Sequence, residues 1–377
     1  MRKIHKVCVV GAGLMGKQIA LNAALHGYLV MLNDSIPEAV GKAETWADEY
    51  LKGRVAKGKL TEEAAAQAKK NLFFTIDLEM AARDADLVIE AVFEDMKIKR
   101  ETFAKLEARC RPDTIFCTNS SVMSPSEISA ELRHRERFVG THFWNPGHLI
   151  PLVEVVKSDA SSDETAQTVM EVLSSAGKEP VLCKKDVPGF IANRMQHALW
   201  REAISIVENG IADAATVDEA VRYSFGLRLP QLGPMENADM VGTDLTYNIH
   251  DYILRDLEDS HEPSPLLKQL RDEGKIGFNR FFHEDVLAHL KKRNRRHGVK
   301  IGRNRHAEGI AFLRKLPPVG KNRQIELRPD LCGRLGLDVE DADHLRIRAL
   351  GIETGVVPAE CPDTEYADFE LFVAFHS

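Results

Sequence analysis

The 377-residue chain has six cysteines (Cys8, Cys110, Cys117, Cys183, Cys332 and Cys361) but no C-x-x-C pair, and it has neither a long apolar run nor an internal repeat. Scattered cysteines give no basis for a zinc site or a disulfide framework. They fit a reducing compartment, and the expectation is a cytoplasmic protein without a metal. No apolar stretch approaches the ~18–20 residues that a membrane span needs, so no membrane partner is expected. The first residues, MRKIHKVCVVGAG, run directly into a strand, so no secretory leader is expected. Neither charge sign dominates: the net charge is −7, which gives no reason to expect nucleic acid as a partner. What remains, 44% hydrophobic and 28% charged residues, is the composition of a globular protein. The length suggests two or three domains at about 100–200 residues each.

The informative segment comes first. KVCVV (residues 6–10) is short, apolar and β-branched, and reads as a buried parallel strand. GAGLMG follows at once, then KQIALNAALHG at helical spacing, then YLVMLND, a second strand closing on Asp34. Each part has a physical use in a dinucleotide-binding turn. Gly11 permits the tight turn, Gly13 lets backbone N–H groups approach a pyrophosphate, and Gly16 lets the helix pack close to the strand. The helix start then offers unpaired N–H groups and the positive end of its dipole to the phosphates. Gly11, Gly13, Leu14, Met15 and Gly16 are therefore the expected cofactor turn. A carboxylate at Asp34 can accept from both ribose hydroxyls and would repel a 2′-phosphate, which selects NAD over NADP. The glycine pattern alone is weak; strand, glycines, helix, strand and acid in order make it specific.

Beyond Asp34 the pattern is helical to about residue 71, with Thr61 ahead of Glu62 and Glu63 as a helix start. ADLVIEAVFED (85–95) reads as a buried strand with acids at its end, IKRETFAKLEARC as an amphipathic helix, and TIFCTN (114–119) and RFVGTHFWN (137–145) as further strands. Such alternation with apolar strands predicts an α/β Rossmann domain with a mostly parallel sheet. Ligands of these sheets lie outside the carboxyl ends of the strands, where Glu94, Asn119 and Ser121 fall. Taken singly, each reads first as an ordinary polar loop residue.

THFWNPGHLIPLVEVV (141–156) holds His142, Asn145 and Glu154. Histidine, with an ordinary pKa of ~6.5, can take and return a proton near neutrality. A carboxylate on its other ring nitrogen would fix the tautomer and stabilise the imidazolium. Glu154 stands among apolar neighbours, so it is expected to be half-buried and to need a partner. Asn145-Pro146-Gly147 supplies the turn that would let the two segments meet. Without more, His142 reads first as a packed or surface histidine and Asn145 as a pre-proline turn residue.

Seven separated motifs now stand in one order: GAGLMG, VFEDMKIKRETFAKLE, TNSS, RFVGTHFWNP, LVEVV, KDVPGFIANR and LGPMENADMVGTDLT. Together, over about residues 4–280, they resemble the 3-hydroxyacyl-CoA dehydrogenase family. The resemblance implies an NAD-dependent enzyme of fatty-acid metabolism. His142 resembles the general base and Glu154 its orienting carboxylate. Ser121 and Asn193 resemble the residues that hold the substrate oxygen, and Asn145 the asparagine that supports the histidine. Glu94, Lys99 and Asn119 match further cofactor-side positions. Two segments depart from the pattern. Members acting on CoA thioesters read N-P-x-P-x-M-x-L-V-E after the histidine, whereas this chain reads NPGHLIPLVE. That form is more similar to relatives using free hydroxy acids, such as gulonate dehydrogenase and lambda-crystallin, or a pyridine-ring substrate. It adds His148, expected to be a solvent-exposed loop residue. The second departure is GKIGFNRFFHEDVL (274–287), shorter than the family's glycine-rich close.

DVPGFIANRMQHALWREAISIVENG (186–210) opens an all-α domain, with Pro188 at the helix entry and Ile191, Met195, Leu199 and Ile206 as its core face. Thr216–Glu219 reads as a capping box, LRLPQLGPMENAD as a loop, and helix resumes to about 272. The expected division is an NAD-binding domain over 1–185, a helical substrate and dimerisation domain over 186–290, and a tail of unassigned fold over 291–377. A helical domain docked at the sheet's carboxyl edge would make a cleft, and the resemblance implies a homodimer through that domain. The partner otherwise expected is a small molecule, an acyl-CoA or a hydroxy acid. Lys291, Lys292, Arg293, Arg295, Arg296, Lys300, Arg303 and Arg305 make a basic stretch that reads as a solvated helix face. The segment after it stays open between an appended domain, a tail and an altered reading frame.

Overall fold

Val7, Val9 and Val10 are β-branched and apolar, and in the computed structural model they lie inside a strand buried from both sides. The structure describes residues 3–274; the basic stretch, most of the 274–287 segment and the tail lie outside the described residues. From β1 (Lys6–Val10) the chain enters α1 (Leu14–Leu25), β2 (Leu29–Asn33), α2 (Pro37–Ala56), α3 (Glu62–Asn71) and β3 (Leu72–Thr75). It continues through α4 (Leu78–Ala82), β4 (Leu87–Glu90), α5 (Met96–Glu107), β5 (Ile115–Thr118), α6 (Pro125–Ile128) and β6 (Phe138–Phe143). Then come β7 (Leu152–Lys157), α7 (Asp163–Ser175) and β8 (Glu179–Cys183). The eight strands form one sheet in the order β3-β2-β1-β4-β5-β6-β7-β8. Every pair is parallel except β6 with β7, so the expected mostly parallel doubly wound sheet is present. The carboxyl ends of β1, β4, β5 and β6 share one edge. Because β7 runs the other way, its first residues return to that edge.

Helices cover both faces. One side packs Ile19, Leu21, Ala24, Val169 and Leu173 on the sheet, and the other packs Phe103, Leu106, Ile128 and Phe138. Thr61 caps α3 as expected, its hydroxyl accepting from the Ala64 N–H at 3.1 Å. Strand β4 stops at Glu90, short of the run through residue 95 that the sequence suggested. The reason is local: the Glu90 carboxylate folds back to accept the Val92 N–H at 2.7 Å, which ends the extended conformation.

The chain divides into two compact units, with the first ending at Gln196 and the second beginning at His197. The described part of the second unit is helical: most of α8 (Ala192–Glu208), then α9 (Ala214–Arg222), α10 (Pro234–Val241), α11 (Thr243–Ile253) and α12 (Pro265–Asp272). Four readings change here. Pro188 is not at a helix entry; α8 begins only at Ala192, where a carboxylate takes up the first free N–H groups. Helix α9 starts before the Thr216 box, because Asp213 accepts the Thr216 N–H at 2.7 Å and a carboxylate caps well. Helix α10 begins within the stretch read as loop, since Pro234 presets its first turn and Glu236 accepts the Gly233 N–H at 2.8 Å. Ile191, Met195, Leu199 and Ile206 are not buried: Met195 is 52% exposed and Ile206 half-buried, so the described residues cover this stripe only in part.

Phe103 has no exposure and meets Phe116 and Phe138 edge-on, at centroid distances of 5.9 and 4.8 Å. Its replacement by alanine is expected to lower unfolding free energy by about 3–5 kcal/mol. Urea titration checks this, and a loss well under 1 kcal/mol would mean that the cluster collapses around the void.

Candidate active site

The glycine turn joins β1 to α1 and is shaped by contacts only glycine tolerates. Gly11 has φ +106°, and a Cβ there would sit 2.5 Å from the Ala91 carbonyl oxygen. A Cβ on Gly16 would lie 1.7 Å from the Gly11 oxygen, so helix and turn touch through bare backbone. At Gly13 the opposite holds, as nothing lies within 4 Å of such a Cβ. Gly13 is also the N-cap of α1, with no side chain capping it and no acid in the first turn. Open space before uncapped N–H groups and a positive helix end is what a pyrophosphate requires. Leu14, largely exposed, and Met15, half-buried, open the helix. Asp34 follows β2 directly; its carboxylate accepts from the Ala12 N–H at 2.8 Å and the Ile36 N–H at 2.9 Å. These bonds hold the acid beside the turn. The residues present fit NAD.

His142 and Glu154 stand opposite each other in the antiparallel pairing of β6 with β7. His142 Nδ1 is 2.8 Å from Glu154 Oε2. A carboxylate can only accept, so Nδ1 carries the proton and Nε2 is the nitrogen left to act. Glu154 is not half-buried, as the sequence suggested, but wholly buried. Its charge is met from four sides. Trp144 Nε1 approaches Oε2 at 3.4 Å, and the N–H groups of Ile191 and Ala192 donate to Oε1 at 2.9 and 3.0 Å. Burial works to raise the Glu154 pKa, but the bonds from His142, Ala192 and Ile191 outweigh it and hold the carboxyl below its usual range.

Around the pair, Asn119 Oδ1 accepts the Phe143 N–H at 3.0 Å, tying the end of β5 to the end of β6. Asn193, in the first turn of α8, donates to the Ser121 carbonyl at 3.3 Å. Asn145 is exposed and precedes a cis bond to Pro146. Glu94 accepts from the Ser120 hydroxyl and, at 3.3 Å, from the Ser121 N–H. Lys99 is buried, its ammonium 2.8 Å from Glu90 and 3.2 Å from Glu94. Thr118 donates to the other Glu90 oxygen at 2.7 Å. Sequence reasoning passed over Glu90, Thr118 and Ser120; the signal available was a glutamate closing an otherwise apolar strand. It also passed over Asp186, which accepts from the Ser124 hydroxyl and from the Ser126 N–H at 2.9 Å, fastening the 186–190 linker to the Ser121 loop. Among the described residues no group of side chains could hold a metal, and no helix is long and apolar enough to cross a membrane.

His148 is not the exposed loop residue expected. Its ring sits against Trp46 and Tyr50, edge-on at centroid distances of 5.5 and 4.8 Å. Burial, aided by Lys178, Arg54 and Lys17, pushes its pKa down to about 4. The folded pKa thus lies below the unfolded value of ~6.5. Stability from the neutral ring is complete above that value and is lost as pH falls towards about 4. In an NMR titration one histidine should titrate near 4 and vanish in His148→Gln; finding every histidine near ~6.5 contradicts this placement.

Comparison with known proteins gives two family profiles in succession. Residues 6–187 match the 3-hydroxyacyl-CoA dehydrogenase NAD binding domain, and residues 189–280 match its C-terminal domain. The chain is 38% identical over 249 residues to 3-hydroxyadipyl-CoA dehydrogenase of Escherichia coli, covering 66% of this chain and 51% of that one. The chain therefore spans about half the length of that relative. It is 35% identical to human mitochondrial hydroxyacyl-coenzyme A dehydrogenase, covering 73% of this chain and 88% of that one. Among solved structures, 5-formyl-3-hydroxy-2-methylpyridine 4-carboxylic acid 5-dehydrogenase, an NAD+-dependent dismutase, superposes with TM-score 0.69 at 30% identity, covering 78% and 96% of the two chains.

Proposed function

The chain belongs to the 3-hydroxyacyl-CoA dehydrogenase family and carries its NAD-binding domain, and from there we propose that it oxidises a 3-hydroxyacyl-CoA, or a short 3-hydroxy acid derivative, to the 3-keto compound. The observation that carries this reading is the 2.8 Å pair of His142 with buried Glu154, on the edge where the glycine turn opens. NAD+, when bound at Gly11–Gly16 with its ribose at Asp34, supplies the acceptor for the hydrogen leaving the carbinol carbon with its electron pair. His142 Nε2 takes the proton of the substrate hydroxyl as that carbon becomes a ketone. The imidazolium so formed keeps its proton on Nδ1, hydrogen-bonded to Glu154, whose charge stabilises it. In reduction the same imidazolium returns the proton to the oxygen. Ser121 and Asn193 hold the substrate oxygen, and Asn145 supports the histidine side of the turn. Glu94, Lys99 and Asn119 order the cofactor side: Lys99 and Asn119 act through Glu94 and the end of β6, as their bonds indicate.

A second reading keeps the enzyme and exchanges the thioester for a non-CoA hydroxy acid or ring alcohol. What favours it is the turn Gly147–Ile150, together with the likeness to the pyridine-carboxylate dehydrogenase. The four described cysteines are all free thiols, which is compatible with a reducing compartment such as the cytoplasm; a role in fatty-acid metabolism rests on the family alone.

We further place a homodimer contact on the helical unit. Leu270 alone is buried among its described residues, while Met235, Met240, Leu245, Tyr247, Tyr252 and Leu254 are each more than half exposed. Exposed apolar side chains in that number support a contact surface there. Sedimentation at micromolar concentration should give twice the chain mass, and Tyr252→Glu should shift the protein towards one chain mass. A wild type that stays at one chain mass at all concentrations removes the dimer.

The activity is tested by following NADH absorbance with 3-hydroxybutyryl-CoA, free 3-hydroxybutyrate and gulonate. Turnover of the thioester supports the first reading and turnover of a free acid alone the second; NAD+ binding without any turnover would leave a non-catalytic, crystallin-like binder. His142→Gln should cut turnover by ~10²–10⁴ while NAD+ still binds. A near-normal rate removes His142 from the chemistry.

A further inference from the structure

The turn after His142 is fastened at two consecutive residues, Gly147 to the cofactor helix α1 and His148 to α2. Gln18 is buried on α1, and its Oε1 accepts the Gly147 N–H at 2.6 Å. A Cβ on Gly147 would meet the Met15 methyl at 3.3 Å and the Gln18 side chain at 3.6 Å, so helix and turn are in contact here. Met15 and Gln18 are three residues apart and share one face of α1. The next turn residue, His148, rests on Trp46 and Tyr50, which are four apart on α2 and stack at 5.4 Å. Lys17 lies 5.0 Å over the Trp46 ring, so α1 braces that support as well. Within the turn, Leu149 and Ile150 both donate to the Pro146 carbonyl at 2.9 Å, and Lys178 donates to the Ile150 carbonyl at 3.0 Å. The turn is thus keyed to the first two turns of the helix whose N-terminus would face the pyrophosphate.

We propose that Gln18 is a positioning residue that couples occupancy of the cofactor turn to the order of the 144–150 turn, and through it to the setting of His142. The inference rests on NAD+ binding at Gly11–Gly16 and not on the choice of substrate. NAD+ at the head of α1 steadies Met15 and Gln18, and the Gly147 N–H has its acceptor only while Gln18 keeps its place. No group is oxidised or transferred; the coupling is one of populations. The unpaired alternative is disfavoured because Gly147 is buried, so its N–H has no water to replace a lost acceptor.

Hydrogen exchange of the peptide spanning 143–150, in the full chain with and without saturating NAD+, tests this without any need for turnover. In the wild type NAD+ should slow exchange of the Phe143, Gly147, Leu149 and Ile150 amides by about 5–150-fold, the usual range of coupling between sites. Gln18→Met is close in shape but has no acceptor oxygen. It should bind NAD+, as calorimetry checks, yet show little or no NAD+-dependent slowing in this peptide. Gln18→Glu keeps an acceptor and should retain the slowing. The proposal is overturned if NAD+ leaves these amides unchanged in the wild type, or if the two variants behave alike. A wild type that does not bind NAD+ would overturn the cofactor reading and this coupling together. One that shows the coupling but oxidises no hydroxy compound would overturn only the substrate reading.

Discussion

Glu154 sits in a strand of valines with no access to water, and its two oxygens are divided between two tasks. One holds His142 Nδ1 from the neighbouring strand, and the other takes the first free N–H groups of α8. An ionised carboxylate in such a place is tolerated only because every side of it is met by a donor. Removing any donor would leave charge unpaired in an apolar strand. The same carboxylate thus decides which nitrogen of His142 carries its proton, where α8 begins, and how Trp144 lies in the turn. The antiparallel step between β6 and β7 makes this possible, because it brings a residue near the start of one strand opposite a residue near the end of another.

The cofactor end depends on an absence of side chains in the same way that the dyad depends on their presence. Gly11 and Gly16 are fixed by backbone oxygens that approach to distances no Cβ allows, while Gly13 keeps space in front of the helix. Between these two ends, Asn119, Glu90 and Lys99 tie the carboxyl ends of β4, β5 and β6 into one platform. Chemistry placed there acts on a frame already paired before any ligand arrives, which is the condition for charge stabilisation without reorganisation.

Much of this was legible in the residues. The period-free apolar runs marked β1, β2, β4, β5, β6 and β7, because strands buried on both faces need no polar alternation. The glycine spacing marked the turn, and the order of seven motifs marked the family. What was not legible depended on partners distant in sequence. Burial of Glu154 depends on α8, some 37 residues on, and the lowered pKa of His148 depends on Trp46 and Tyr50, about a hundred residues earlier. The stripe Ile191, Met195, Leu199 and Ile206 was read as a core face and is not buried, because periodicity states only that a stripe needs cover, not which surface gives it. The helix starts at Ala192, Ala214 and Pro234 were displaced because a carboxylate or a proline out-competed the cap that local pattern favoured.

The central claim is that Glu154 fixes neutral His142 with its proton on Nδ1, leaving Nε2 to take the substrate proton. Nitrogen NMR of the His142 ring, in 15N-histidine-labelled protein, reads that tautomer directly. The account predicts Nδ1 protonated and Nε2 bare in the neutral ring, with that preference weakened in Glu154→Gln. A neutral ring carrying its proton on Nε2, or one indifferent to Glu154, would contradict it.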